Sequence, residues 1–184
     1  MGELKTRAAL VWRVSDKTRF RKSSRLHRLV QVRVAEWLDS LGFDVYLEEP
    51  LEGDLVADVY AESPWATLIV EVETGFVAPG SLERAEEYLA GKALAKASRY
   101  SPYADLFAVA TPSYIKIPIP PELYKSGGEA ALMGYLRRFA SLAGSSLGVT
   151  VRIDALLEVS LARREVVVNP ISSRGKMLLD SVFL

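Results

Sequence analysis

The chain has 184 residues, 49% hydrophobic and 25% charged, with 23 basic and 23 acidic side chains and a net charge of zero, which suits one globular domain with a core and an extension. There is no cysteine, which excludes disulfides, thiolate catalysis and cysteine-held zinc or iron–sulfur clusters, and the single histidine, His27, excludes a multi-histidine metal site. The longest apolar runs are too short to span a bilayer and no signal-peptide pattern is visible, so no membrane partner and a cytoplasmic location are expected.

In chain order, the first element is a basic arm over 1–23. Between Lys5 and Arg33 ten Lys or Arg stand against one acid, Asp16; between Glu36 and Glu62 there are nine acids and no base. A basic arm beside an acidic centre points to a polyanion partner and to a site that uses carboxylates. Trp12 lies in that arm, where it is a packing residue or a base-stacking one. Depletion of Asn and Gln, present once each, together with the missing Cys, points to a thermophile.

"SSRLHRLVQVRVAEWLDSLGF" has apolar residues at helical spacing, with Ser23 or Ser24 to cap its start and Gly42 to end it. Three strands follow: "FDVYLEE", "LVADVYAE" and "ATLIVEVET", the last two joined by a turn at "SPW". Ser81 is expected to cap a long helix through Tyr100, with acids early and Lys92, Lys96 and Arg99 late, as the helix dipole favours. "ADLFAVATP" reads as a strand buried on both faces. A Pro-rich connection, a third helix over 129–144 and two strands turning around Ala162 and Arg163 complete the chain. The first of those strands could instead be helical, and the stretch after Pro170 carries no signal. The order predicts an α/β fold: an antiparallel meander, a parallel crossover, and a mixed sheet flanked by helices.

Carboxylates mark the centre of this sheet. If the turn lies near Pro64 and Trp65, Asp58 faces Glu71 across the two strands, and Glu73 shares the face of Glu71 by period two. Uncompensated, such a patch repels itself; oxygen donors of this kind suit Mg²⁺ or Mn²⁺. The competing reading is a polar, solvent-facing sheet surface.

"ADVYAESPWATLIVEVETG" resembles the PD-(D/E)xK nuclease superfamily, whose signature is an Asp at the start of one strand and Glu-x-Lys on the next. The resemblance covers roughly residues 24 to 112 and includes archaeal Holliday-junction resolvase and RecB-type cores. It implies a restriction-endonuclease-like αβββαβ core over 24–112, with a C-terminal α+β extension over 113–184 packed on it. Asp58 matches the motif Asp and Glu71 its acidic partner. Ala57 stands where Pro is frequent, and Glu73 stands where Lys is usual. Some members carry Glu there, and others take the lysine from the following helix, where Lys92 and Lys96 sit here. "KASRY" resembles the Gln-x-x-x-Tyr element of RecB-type members, with Lys in place of Gln. Gln31, His27 or Glu36 is a candidate for the polar residue that the first helix often adds.

The resemblance implies a metal-dependent nuclease cleaving phosphodiester bonds, with DNA favoured over RNA, and allows a homodimer. Asp58, Glu71 and Glu73 would hold Mg²⁺ or Mn²⁺, and Lys92 or Lys96 would position water or stabilise charge. Arg19, Arg21, Lys22, Arg25 and Arg28 would contact phosphates without reading sequence. The alternatives are a non-catalytic nucleic-acid-binding module or an assembly subunit with a degenerate nuclease fold.

Overall fold

A computed structural model describes residues 13–14, 23–118 and 151–180. Arg19, Arg21, Lys22, Trp12 and the helix expected over 129–144 lie outside the described residues. Seven strands form one mixed sheet whose spatial order is the chain order: β1 (Arg13–Val14), β2 (Asp44–Pro50), β3 (Val56–Glu62), β4 (Thr67–Val72), β5 (Leu106–Pro112), β6 (Ala155–Ser160) and β7 (Glu165–Pro170). β2, β3 and β4 are the expected antiparallel meander, β5 joins β4 in parallel, β6 joins β5 in parallel, and β7 returns antiparallel. The strand option for the stretch before Ala162 is therefore the one realised, with the turn held by Arg164 in a left-handed conformation (φ 59°). The two-residue β1 pairs in parallel with β2, an addition to the expected order.

Helix α1 (Arg25–Ser40) buries Val30, Val34, Ala35 and Leu38 on one face of the sheet. Ser24 is its cap, its Oγ accepting the His27 N–H at 3.1 Å, and Gly42, at φ 88°, follows its last turn. Side chains alternate along β4 and β5. Leu68, Val70, Leu106 and Ala108 pack towards α1, whereas Ile69, Phe107 and Val109 pack towards helix α2 (Ala85–Tyr100) on the other face. β5 is buried throughout, as a strand between two helix layers must be.

Two elements differ from expectation. Ser81 does not cap α2. Pro79 opens a 3-10 turn over Pro79–Arg84, in which the Ser81 N–H already donates to the Ala78 carbonyl, and the α-helix starts only at Ala85, without a side-chain cap. The stretch after Pro170 forms helix α3 (Ser173–Asp180), whose Leu178 joins the α1-side core. No helix among the described residues is long and apolar enough to cross a membrane.

Candidate metal centre

The register of β3 on β4 pairs Val59 with Val70 and Tyr60 with Ile69, so Asp58 and Glu71 are next in line. There the backbone ladder stops and side chains replace it. Glu71 Oε1 accepts the Asp58 N–H at 3.0 Å, and Asp58 Oδ2 accepts the Val72 N–H at 2.8 Å. On the other edge of β3 the pairing with β2 skips one step, between Leu47–Val59 and Glu49–Ala57. The residue at the skipped step is Glu48, buried, with a left-handed backbone (φ 52°). Such a conformation costs a non-glycine residue about 1–3 kcal/mol. Gln31, buried on α1, holds it: its Nε2 donates to Glu48 Oε1 at 2.5 Å and to the Asp58 carbonyl at 2.8 Å.

The interrupted ladder lets both helix layers reach Asp58. From α1, His27 Nε2 lies 3.2 Å from Asp58 Oδ1. From α2, Lys96 Nζ lies 3.4 Å from Asp58 Oδ2 and 3.0 Å from Glu71 Oε2, and it donates to the Val72 carbonyl at 2.8 Å. Glu73 is buried but turned to the next lysine: Lys92 Nζ is 2.8 Å from its carboxylate, and the Gly75 N–H donates to it at 3.1 Å. Ser23, His27, Glu48, Asp58, Glu71, Lys96, Arg99 and Tyr100 line a cleft of about 270 Å³.

Four carboxylates thus meet two ammonium groups, and among the described residues Glu48 has no ion-pair partner. With Glu71 ionised, the carboxylates outnumber the ammonium groups by two. Burial and the neighbouring Asp58 charge push Glu71 up to about 7, against the pull of Lys96 and the Asp58 N–H. Burial also opposes ionisation of Asp58, yet the hydrogen bond to His27 and the charge of Lys96 hold its pKa below the usual value. Burial works against the Lys96 ammonium, but Glu71, Asp58 and Glu73 outweigh it and raise its pKa above the ordinary lysine value. Tyr100 is pushed up by burial and by Glu71.

His27, Glu48 and Asp58 form a group whose donor atoms lie within 4.8 Å of one another and could hold a metal ion. Two ligands on one octahedral Mg²⁺-sized ion are about 3 Å apart, and the 3.2 Å between His27 Nε2 and Asp58 Oδ1 fits that edge. The expected set was Asp58, Glu71 and Glu73. Asp58 belongs to this cluster, while the two glutamates are engaged by Lys96 and Lys92. Glu48 was missed, because a left-handed glutamate inside a strand leaves no pattern; only its register opposite Asp58 pointed to it. Of the α1 candidates, His27 and Gln31 reach Asp58, whereas Glu36 pairs with Arg33. Arg25 and Arg28 are exposed on the first turns of α1, beside His27. No family model, curated protein or solved structure matches the chain.

Glu71→Gln has a predictable pH signature. In the folded apo protein the Glu71 carboxyl holds its proton to about pH 7, against an ordinary value of 4.5. Its contribution to stability is therefore complete below 4.5 and is lost as pH rises through 7, with a slope of at most about 1.4 kcal/mol per pH unit. Glutamine keeps an oxygen for the Asp58 N–H and removes a charge from beside Asp58. Urea unfolding at pH 5 and pH 7.5 should show the variant lacking this decline and matching or exceeding the parent at the higher pH. A variant that is much weaker at pH 7.5 would show that the Lys96–Glu71 pair is structural.

Proposed function

We propose that the chain is a divalent-metal-dependent nuclease that hydrolyses phosphodiester bonds in DNA, with a restriction-endonuclease-like core. The observation that carries this reading is the row Glu48–Asp58–Glu71 across three adjacent strands, half-buried at Asp58 and buried at both glutamates, with His27 on one side and Lys96 on the other. The helix, three-strand meander, helix and parallel strand from Arg25 to Pro112 support the same core.

His27, Glu48 and Asp58 would hold the ion, joined by Glu71 once it has lost its proton. One imidazole among carboxylates favours Mn²⁺ over Mg²⁺. When bound, such an ion would lower the pKa of a water and offset charge on the scissile phosphate. Lys96, fixed by three acceptors, would take the part of the family's usual motif lysine, orienting the attacking water and stabilising developing charge. Gln31 holds Glu48 and the Asp58 backbone. Arg99, exposed at the cleft, and Arg25 and Arg28, exposed on the first turns of α1, would bind phosphates by charge alone, the role the sequence also suggests for Arg19, Arg21 and Lys22. Glu73, paired with Lys92, is a support for the α2 lysines.

The assembly-subunit reading has one observation in its favour: Lys96 and Lys92 already pair with Glu71 and Glu73. Thermal melts in EDTA, Mg²⁺ and Mn²⁺, beside cleavage of a labelled DNA panel, separate the two. A nuclease melts higher with Mn²⁺ and cleaves only with metal. A chain that shows neither keeps the fold and loses the function proposed for it.

A further inference from the structure

Asp58 turns its two oxygens to different partners. Oδ1 faces His27 Nε2 at 3.2 Å, on the α1 side. Oδ2 accepts the Val72 N–H at 2.8 Å and lies 3.4 Å from Lys96 Nζ, on the α2 side. The three donors of the Lys96 ammonium are completed by Glu71 Oε2 at 3.0 Å and the Val72 carbonyl at 2.8 Å. Two carboxylate oxygens and a main-chain carbonyl are a donor set that a hard divalent cation takes, and here an ammonium sits among them. The Lys96 side chain is 17% exposed and that of Glu71 3%, so solvent screens this charge weakly.

Charge limits how many metal ions can join it. Lys92 is taken by Glu73. Glu48, Asp58 and Glu71 remain, and when Glu71 is ionised Lys96 and one divalent ion balance the three of them. A second divalent ion beside the ammonium would crowd like charges into a nest with no carboxylate left to offset them.

We propose that Lys96 is the resident second cation of this centre: its ammonium fills the nest of Asp58, Glu71 and the Val72 carbonyl in place of a second metal ion, so the chain takes one divalent ion, on the side of His27 and Glu48. This rests on the metal-dependent nuclease reading and fixes its metal count. Two-metal sites hold their ions about 3.5–4 Å apart. Asp58, with one oxygen towards each position, is placed as the bridge of such a pair, with a lysine as one member.

Mn²⁺ uptake, counted by equilibrium dialysis and by electron paramagnetic resonance, tests this on the parent, Lys96→Ala, Lys96→Arg and Asp58→Asn. The parent should take one ion per chain, with the six-line signal of an isolated Mn²⁺. Lys96→Ala should take two and show the broadened spectrum of a spin-coupled pair, and Lys96→Arg should stay at one. Asp58→Asn, without the anion that faces both positions, should take none. A parent that takes two ions, or a Lys96→Ala that takes no more than the parent, overturns the proposal and leaves Lys96 as an ion-pair partner only. Parent-like uptake by Asp58→Asn overturns it as well. A parent that takes none beside a Lys96→Ala that takes one would remove the His27 position and uphold the role of the lysine. Failure of the nuclease reading is seen separately, as a parent that takes up Mn²⁺ and cleaves no DNA. Should Lys96→Ala not fold in EDTA, Lys96→Gln is counted in the same way.

Discussion

On the proposed nuclease reading, Asp58→Asn should abolish metal-dependent cleavage and the Mn²⁺-induced rise in melting temperature together. Asp58 touches every part of the site: His27 at Oδ1, and Lys96 and the Val72 N–H at Oδ2. Asparagine can keep its oxygen on Val72 and turn its amide towards His27, so the fold tolerates it, but the anionic ligand is gone. Changing a residue that merely orients a metal ligand costs about 10–100-fold, so removal of the central ligand should exceed a loss of about a hundredfold. Melts in EDTA should stay close to the parent, because Lys96 keeps Glu71 and the Val72 carbonyl. Parent-like cleavage by the variant would place the reacting centre elsewhere.

The largest stability effect is expected far from that site, at Gly175→Ala. A Cβ there would sit 1.9 Å from the Asp154 carbonyl oxygen and 2.7 Å from its carbon. Nothing near it can give way. The Asp154 carbonyl accepts the N–H groups of Ile171 and Ser172, and its N–H donates to Phe107. Its buried carboxylate accepts from the Phe107 N–H, Arg152 Nε and Ser172 Oγ. Overpacking against movable side chains costs about 1–3 kcal/mol, and a clash with pinned backbone lies at or beyond the top of that range. For a chain of this size that lowers the melting temperature by roughly 6–12 °C. A calorimetric scan within a degree of the parent would mean that α3 does not dock as described.

Asp154 carries no sequence signal of its burial, because the partners that bury it come from β5 and from Ser172 just before α3. Such distant partners leave no local pattern. By contrast, the Asp58–Glu71 register was legible because a tight turn at "SPW" and period-two alternation determine it between them. The lysines were legible too: Lys92 and Lys96 are one turn apart on a strongly patterned helix. Period two also placed Glu73 near Glu71, but it could not say that Lys92 and the Gly75 N–H would take up the Glu73 carboxylate. Glu48 escaped because its conformation defies residue preference, and Gln31 was a candidate whose role became definite only with Glu48 in place. The Ser81 cap failed where Pro79 imposed a tighter turn first.

The sheet's strands lie side by side in the order in which they occur along the chain, each hydrogen-bonded to the one before it. Assembly on the ribosome can therefore run from one edge to the other, each strand docking on a partner already made, as synthesis delivers roughly 5–20 residues per second. The carboxylates and both lysines are complete by Tyr100, before β5, β6, β7 and α3 exist. The emerging chain can thus pair its carboxylates with Lys92 and Lys96 before the hydrophobic layer that covers them is finished, and those pairs would pin α2 to the meander as a nucleus for the half of the protein still to come.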